Sequence, residues 1–482
     1  MSNRPCKKKP NKNFVQSVNV VLIFILCLDI EFTNGCRYNG ISPLLMQLLD
    51  LQSIFELREC DTMSPGSIAS IKKNSHLTAP ILVDSGEAEI MRALRMHGRI
   101  SRSEISNITG WSKAKVSQEI KSLVDKGYLV EIGEGASRGG RKPGLLRINN
   151  QLGYIVGIDI GATSLEVALA DVTGSILQRQ LEVADVHLRA ESVLGRCRQI
   201  LLDLIKLQGG VPDQILGIGV GVPGPVDFAR GVLVAPPLMP EWENFSIRDF
   251  FKKTFSSAFV VVDNDVNIMA LGERRAGDGI NIDHFIFVKI GTGIGAGIIS
   301  NGKIHRGSDG SAGDIGHICI DKNGPLCACG NIGCLEAMTA GPAIAAKAMQ
   351  AAVDGISPTL DKMRESNGGF IRPEDVNVAC REGDQAALDI IRESGQAIGD
   401  VMATLVNFFN PSHIFIGGGI ANFGNHLLVA IRKAVLHRSL PLATTHLSIK
   451  FSRMGSNAGV LGAIMLALEY LFIVENDLHF SF

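Results

Sequence analysis

The stretch GDIGHICIDKNGPLCACGNIGCLE, Gly313 to Glu336, decides how the rest of the chain is read. His317, Cys327, Cys329 and Cys334 offer one imidazole and three thiols within eighteen positions. One nitrogen and three soft sulfurs suit a closed tetrahedral zinc site. The glycines at 324, 330 and 333 let the chain turn tightly around an ion. The bland alternative is three buried free cysteines beside an ordinary core histidine. A single Cys–His pair would favour that alternative; four donors at C-x-C-x4-C spacing favour the metal. Asp314 and Glu336 flank the cluster and are not needed as ligands. Carboxylates held beside a fixed metal loop are placed to face a polyhydroxylated ligand.

The bulk numbers set bounds around this loop. A chain of 482 residues has room for two to four domains, and an apolar fraction of 46% is ordinary for a large core. Forty-seven Lys and Arg against 48 Asp and Glu leave a net charge of −1, so the whole chain is no polyanion binder. Any such role needs a local excess. Ten cysteines are spread unevenly and form no small secreted disulfide framework. A thiolate metal site points to a reducing, cytoplasmic compartment.

Residues 1–84 form an extension without an assigned function. Arg4, Lys7, Lys8, Lys9 and Lys12 precede the apolar run Val20–Leu28, which is too short to span a bilayer of about 20 residues. Three readings stand: a leader, a buried hydrophobic hairpin, or upstream sequence joined by a mis-assigned start. The third is favoured, with Met63 as the start, because a polar stretch leads from there into the first recognisable domain. No membrane partner is expected.

Residues 85–150 read as an α+β winged helix-turn-helix. Ala88, Ile90, Met91, Leu94 and Met96 have helical spacing. Ser101 or Ser103 caps a second helix running to Thr109, Gly110-Trp111 turns, and Ser112 caps a third, Lys113 to Asp125. The third helix shows Lys113, Lys115, Ser117, Gln118 and Lys121 outward, a face fit for a major groove. Two short strands, Tyr128–Ile132 and Leu145–Ile148, flank a glycine-rich wing carrying Arg138, Arg141 and Lys142, suited to a minor groove or to phosphates. Twelve basic residues against seven acidic ones make the segment +5. The alternative is a solvated three-helix protein-binding module; the basic helix followed by a basic wing favours operator DNA. Half-sites are commonly read by dimers, so a homodimer or homotetramer is expected.

Residues 151–475 alternate strands, glycine turns and helices, the pattern of two α/β lobes around a cleft. Tyr154–Ile160 is an apolar strand carrying Asp159, followed by the turn Gly161-Ala162-Thr163-Ser164. Ile215–Val222 is a buried strand. Phe259–Val262 delivers Asn264 and Asp265 at its carboxyl end, where α/β sheets place ligands. Phe285–Ile290 runs into Gly291, Thr292, Gly293, Gly295 and Gly297, and Ile414–Ile416 into Gly417, Gly418 and Gly419. Such glycine turns suit phosphate oxygens, each a weak signal alone. For Asp265 the competing role is to cap the helix that follows.

These residues resemble the ROK family of repressors, open reading frames and sugar kinases. The likeness covers about 150–470 and rests on the Asp159–Thr163 loop, Val222–Asp227, Asn264-Asp265, Gly291–Gly297, Gly313–His317, the Cys327–Glu336 motif and Gly417–Gly419. It implies a two-lobed actin-like sugar-kinase fold with Zn2+ held by His317, Cys327, Cys329 and Cys334. It further implies a small sugar or sugar phosphate bound by Asn264, Asp265, Asp314, His317 and Glu336. A winged helix in front resembles the family's regulators, hence a sugar-responsive repressor of carbohydrate metabolism. The alternative is an ATP-dependent hexose kinase that keeps a DNA module. Asp265 would then be the catalytic base, with ATP and Mg2+ near Asp159, Gly161, Thr163, Gly291, Thr292, Gly293, Gly295, Gly417 and Gly418. Family kinases usually show Gly-Gly-Thr-Lys in the first loop, where this chain has Ala162 and Ser164. A third reading, a partner docked on the metal loop, has no specific feature behind it.

Overall fold

Why this chain makes two lobes is visible in its strands. A computed structural model describes residues 80–134 and 144–474. In the first lobe Tyr154–Ile160, Ser164–Asp171 and Ile176–Val183 form an antiparallel meander, while Ile215–Val222 and Phe259–Asn264 add in parallel on the other side of Tyr154–Ile160. Ile215–Val222 is buried along its whole length, as a central parallel strand covered on both faces should be. The second lobe repeats this order. Phe285–Ile290, Ile294–Ser300 and Lys303–His305 make the meander, with His413–Gly417 and Ser448–Phe451 added in parallel.

Each sheet is followed by a helix that packs between the lobes, Asp265–Ala276 after the first and Asn457–Glu469 after the second. The two helices nearly touch backbone to backbone. A Cβ on Gly462 would lie 1.6 Å from the Ile268 carbonyl oxygen, and one on Gly272 would lie 2.1 Å from that of Ala458. Only glycine permits an approach this close. Both helices contribute to one apolar core, in which Val266, Ile268, Ala458, Val460 and Ile464 are buried.

That core continues into the N-terminal module. Helices Ser85–His97, Arg102–Thr109 and Lys113–Asp125 pack with a three-stranded antiparallel sheet in the order Ile100–Ser101, Gly144–Ile148, Leu129–Glu134, its first strand lying between the first two helices in the chain. Ser101 caps the second helix in a reciprocal box with Glu104, and Ser112 caps the third. Glu87, fully buried, accepts from Ser122 Oγ at 2.6 Å and from Lys126 Nζ at 2.6 Å, tying the first helix to the third. Ile81–Leu82 pairs in parallel with Phe472–Ile473, so the described part of the module is sewn to the segment that follows the last helix. Arg95 donates to the Leu468 carbonyl and Arg275 to the Arg95 carbonyl, while Tyr128 meets Phe472 edge-on at 5.7 Å between centroids.

Several expectations shift. The strand expected at 259–262 reaches Asn264, because Asp263 and Asn264 keep register with Gly221 and Val222. Within the span read only as alternating strands, turns and helices, the last helix is Asn457–Glu469, and Phe472–Ile473 follows it as a strand. The cap of the helix after the first sheet is Asn264, whose Oδ1 accepts from the Val266 and Asn267 amides; Asp265 is its first helical residue. The readings at residues 1–79, including Met63, and the wing residues Arg138, Arg141 and Lys142 fall outside the described residues. Among the described residues no helix is long and apolar enough to cross a membrane.

Candidate functional site

One cavity of about 690 Å³ lies in the cleft between the lobes. Its lining includes Asn264, Asp265, Asp314, His317 and Glu336, so the five expected ligand contacts meet in one place. Gly161, Thr163, Gly291, Thr292, Gly293 and Gly295 line it as well. Gly417 and Gly418 are absent from the lining, where Gly419 and Ile420 take the corresponding wall. Gly418 instead turns with φ +88°, pressed against the Ile290 carbonyl.

The cavity's polar groups are already oriented. Asn264 Nδ2 donates to the Gly224 carbonyl at 2.9 Å while Oδ1 caps the helix, which fixes the amide plane. A carboxamide locked in this way keeps one N–H for a ligand. Glu336 Oε2 accepts from the Ile294 amide at 2.9 Å, and a Cβ on Gly293 would strike that oxygen at 2.6 Å. Behind Asn264, Asp263 is buried and accepts from Arg306 Nε at 2.8 Å and Asn267 Nδ2 at 2.8 Å.

The Cys–His loop forms the cavity's far rim. The donor atoms of His317, Cys327, Cys329 and Cys334 all lie within 4.8 Å of one another. Cys329 Sγ and Cys334 Sγ are 3.7 Å apart, and Cys327 Sγ is 3.6 Å from His317 Nδ1. Tetrahedral coordination with bonds of about 2.3 Å to sulfur and about 2.05 Å to nitrogen gives S···S near ~3.8 Å and S···N near ~3.6 Å. The donors therefore fit a four-coordinate metal. His317 divides its two nitrogens: Nδ1 faces the sulfurs, and Nε2 lies 3.8 Å from Asp314 Oδ1, on the cavity side. The loop's tight return needs Gly333, at φ +70°, where a Cβ would overlap the Asp321 carbonyl oxygen. The described cysteines, including these three, are all free thiols.

Sequence reasoning missed Lys289. It lines the cavity, and its ammonium is hydrogen-bonded to Asp265 Oδ2. Burial works against its charge, yet Asp265 and then Asp159 hold its pKa above the usual lysine value. Asp159 is only partly buried by surface area, but nearly everything around it is protein. Burial pushes its pKa up to about 7; Lys289 pulls it down, and Asp265 and Glu166 add to the rise. A lone lysine in the otherwise apolar strand FIFVKI was the available signal.

On the module, Lys113, Lys115, Ser117, Gln118 and Lys121 are all exposed on the third helix. The Lys115 ammonium sits 3.6 Å above the centre of the Trp111 ring, which holds that side chain near the turn. A hollow of about 290 Å³ beside the helix is lined by Arg102, Ser103, Lys113, Val116, Ser117 and Gly144.

Comparison with known proteins follows the same division. Residues 155–470 match the ROK family, and residues 83–137 match a domain of unknown function, DUF7343. The chain is 34% identical to the xylose repressor of Caldicellulosiruptor bescii over 371 residues, 77% of this chain and 92% of that protein. The crystal structure of a ROK family transcriptional regulator, a homologue of the Escherichia coli MLC protein, superimposes with a TM-score of 0.69 at 27% identity, covering 80% of this chain and 95% of the other. A ROK family glucokinase from Streptomyces griseus, solved with glucose and AMPPNP, gives 0.57 at 30% identity over 66% of this chain and 100% of the other.

Proposed function

The chain belongs to the ROK family, and from that premise we propose that it is a sugar-responsive, DNA-binding transcriptional repressor of carbohydrate metabolism. One observation carries the reading: Asn264, Asp265, Asp314, His317 and Glu336 converge on a single cavity of about 690 Å³, with ample room for a monosaccharide. A monosaccharide presents alternating hydroxyl donors and acceptors, and carboxylates bind these with the stronger, charge-assisted bonds. The relatives that match the module as well as the lobes include the xylose repressor, so pentoses and hexoses are the first candidates.

In this reading residues 85–150 form a winged helix-turn-helix. Lys113, Lys115, Ser117, Gln118 and Lys121 enter a major groove, and Arg138, Arg141 and Lys142 grip the flanking backbone. The active form is a homo-oligomer reading paired half-sites in the cytoplasm. Zn2+ is held by His317, Cys327, Cys329 and Cys334. When bound, it supplies no reaction; it locks the loop so that His317 presents Nε2 and Asp314 its carboxylate to the sugar. Sugar closing the cleft shifts the two lobes about the paired helices Asp265–Ala276 and Asn457–Glu469, on which the module rests. Only a difference in sugar affinity between open and closed forms can drive that shift.

The test is a titration. The operator is selected from genomic DNA, and xylose, glucose and N-acetylglucosamine are added to the protein–DNA complex. At least one sugar is expected to release DNA at micromolar to millimolar concentration. Lys113→Ala is expected to reduce the salt slope of binding by about 1 on a log–log plot. Binding that no monosaccharide alters would end the sensor reading.

A further inference from the structure

Lys289 holds the position in the second lobe that Asp159 holds in the first. Both lie one residue before the end of the strand that opens their lobe's meander, and a glycine turn follows each. In both sheets that strand pairs antiparallel with the next strand and parallel with a later one. The repeated topology thus brings an acid and a base at equivalent positions close enough for each to shift the other's titration. Asp265, at the strand end of the first lobe, completes the trio and is hydrogen-bonded to the ammonium.

A nucleotide cleft ordinarily binds its triphosphate with a divalent cation held by one or two carboxylates. Here Asp265 shares the cavity with a lysine side chain only 21% exposed and is itself 6% exposed, while Asp159, expected at the same site, is absent from the cavity lining and acts on the lysine through its charge. We propose that Lys289 is the resident cation of this cleft: its ammonium takes the place of a divalent ion, so the cleft binds an uncharged monosaccharide without a metal–nucleotide. A divalent ion entering would have to separate a buried ion pair and leave the ammonium uncompensated, which proteins resist strongly. The same contact sets the role of Asp265. Its Oδ2 is taken up by the ammonium, so Oδ1 is the oxygen left to meet and orient a sugar hydroxyl. Lys289 is accordingly a specificity-determining residue of the proposed sensor, on which this inference rests.

Mn2+ is the probe, followed by electron paramagnetic resonance on the zinc-loaded full chain. Wild-type protein is expected to leave Mn2+ free at about 100 µM, with or without AMPPNP. Lys289→Met and Lys289→Gln are each expected to bind Mn2+ at least tenfold more tightly, and adding Asp159→Asn is expected to abolish the gain. Stoichiometric Mn2+ binding by wild type overturns the proposal, whether or not the variants fold. So does a folded variant, verified by near-ultraviolet circular dichroism, that gains no Mn2+ affinity. Loss of sugar-dependent DNA release would instead count against the sensor reading and leave the Mn2+ result legible.

Discussion

The first lobe carries an acid, Asp159, one residue from the end of its leading strand, and the second carries a base, Lys289, at the matching place. The lobes share strand order and pairing sense, yet they differ in what fixes their ligand-facing parts. In the first, backbone and caps suffice: Asn264 is held by the Gly224 carbonyl and by the amides of the helix it caps. In the second, Gly313–Glu336 has one short 3-10 turn at Ile315–His317 and folds back on itself through bonds such as Ile320 N–H to the Gly333 carbonyl and Cys327 N–H to the Asn331 carbonyl, which gather four metal-type donors. A metal cross-link there would add to this irregular bonding. Duplication of a topology therefore need not duplicate the means by which a site is made rigid.

The sharpest way to break this comparison is to remove a sulfur. Cys329→Ser is expected to cost several kcal/mol of stability, to lower bound zinc below one per chain, and to weaken sugar binding at least about tenfold. Calorimetry with metal analysis reads all three, and unchanged zinc content would refute the ligand set. Next comes the hinge shared by the lobes. Gly462→Ala is expected to cost about 3 kcal/mol in denaturant unfolding, since its methyl group would occupy the Ile268 carbonyl's space. A loss below about 1 kcal/mol would mean that the helices part easily.

The smallest effect concerns Asp159 and depends on pH. Its folded pKa, about 7, lies above the ordinary aspartate value of 3.8, so the proton is bound more tightly in the folded state. Stability present at low pH is then lost as pH rises from about 4 to about 7, and the loss is complete above that. Asp159→Asn removes this penalty. Its stability relative to wild type is expected to rise across the same window and to stay level at higher pH. A flat difference between pH 4 and 8 would show that Lys289 keeps Asp159 ionised throughout.

Legibility in the sequence followed locality. The Cys–His cluster was readable because its four donors fall within eighteen residues and their spacing carries the geometry. The third helix, Lys113–Asp125, was readable from Ser112 and the apolar positions Val116, Ile120 and Leu123. Of the five expected cavity contacts, Asn264 and Asp265 lay where the first lobe's last strand gives way to a helix, and Asp314, His317 and Glu336 came with the Cys–His loop. The Lys289–Asp265 pair was not readable, since 24 positions and a lobe boundary separate its members. Asn264 rather than Asp265 proved to be the cap, a choice set by where the strand stops. The pairing of Ile81–Leu82 with Phe472–Ile473 was least accessible of all. A two-residue parallel ladder leaves no periodic trace, and its partners are separated by almost the whole described chain.

That short ladder has a consequence for protein engineers. A chimaera that transplants a relative's reading head alone would keep the recipient's own tail, and the seam at Leu471–Ile473 would mismatch. Grafts that carry both ends of the donor chain should transmit the sugar signal, whereas grafts of one end should repress without responding.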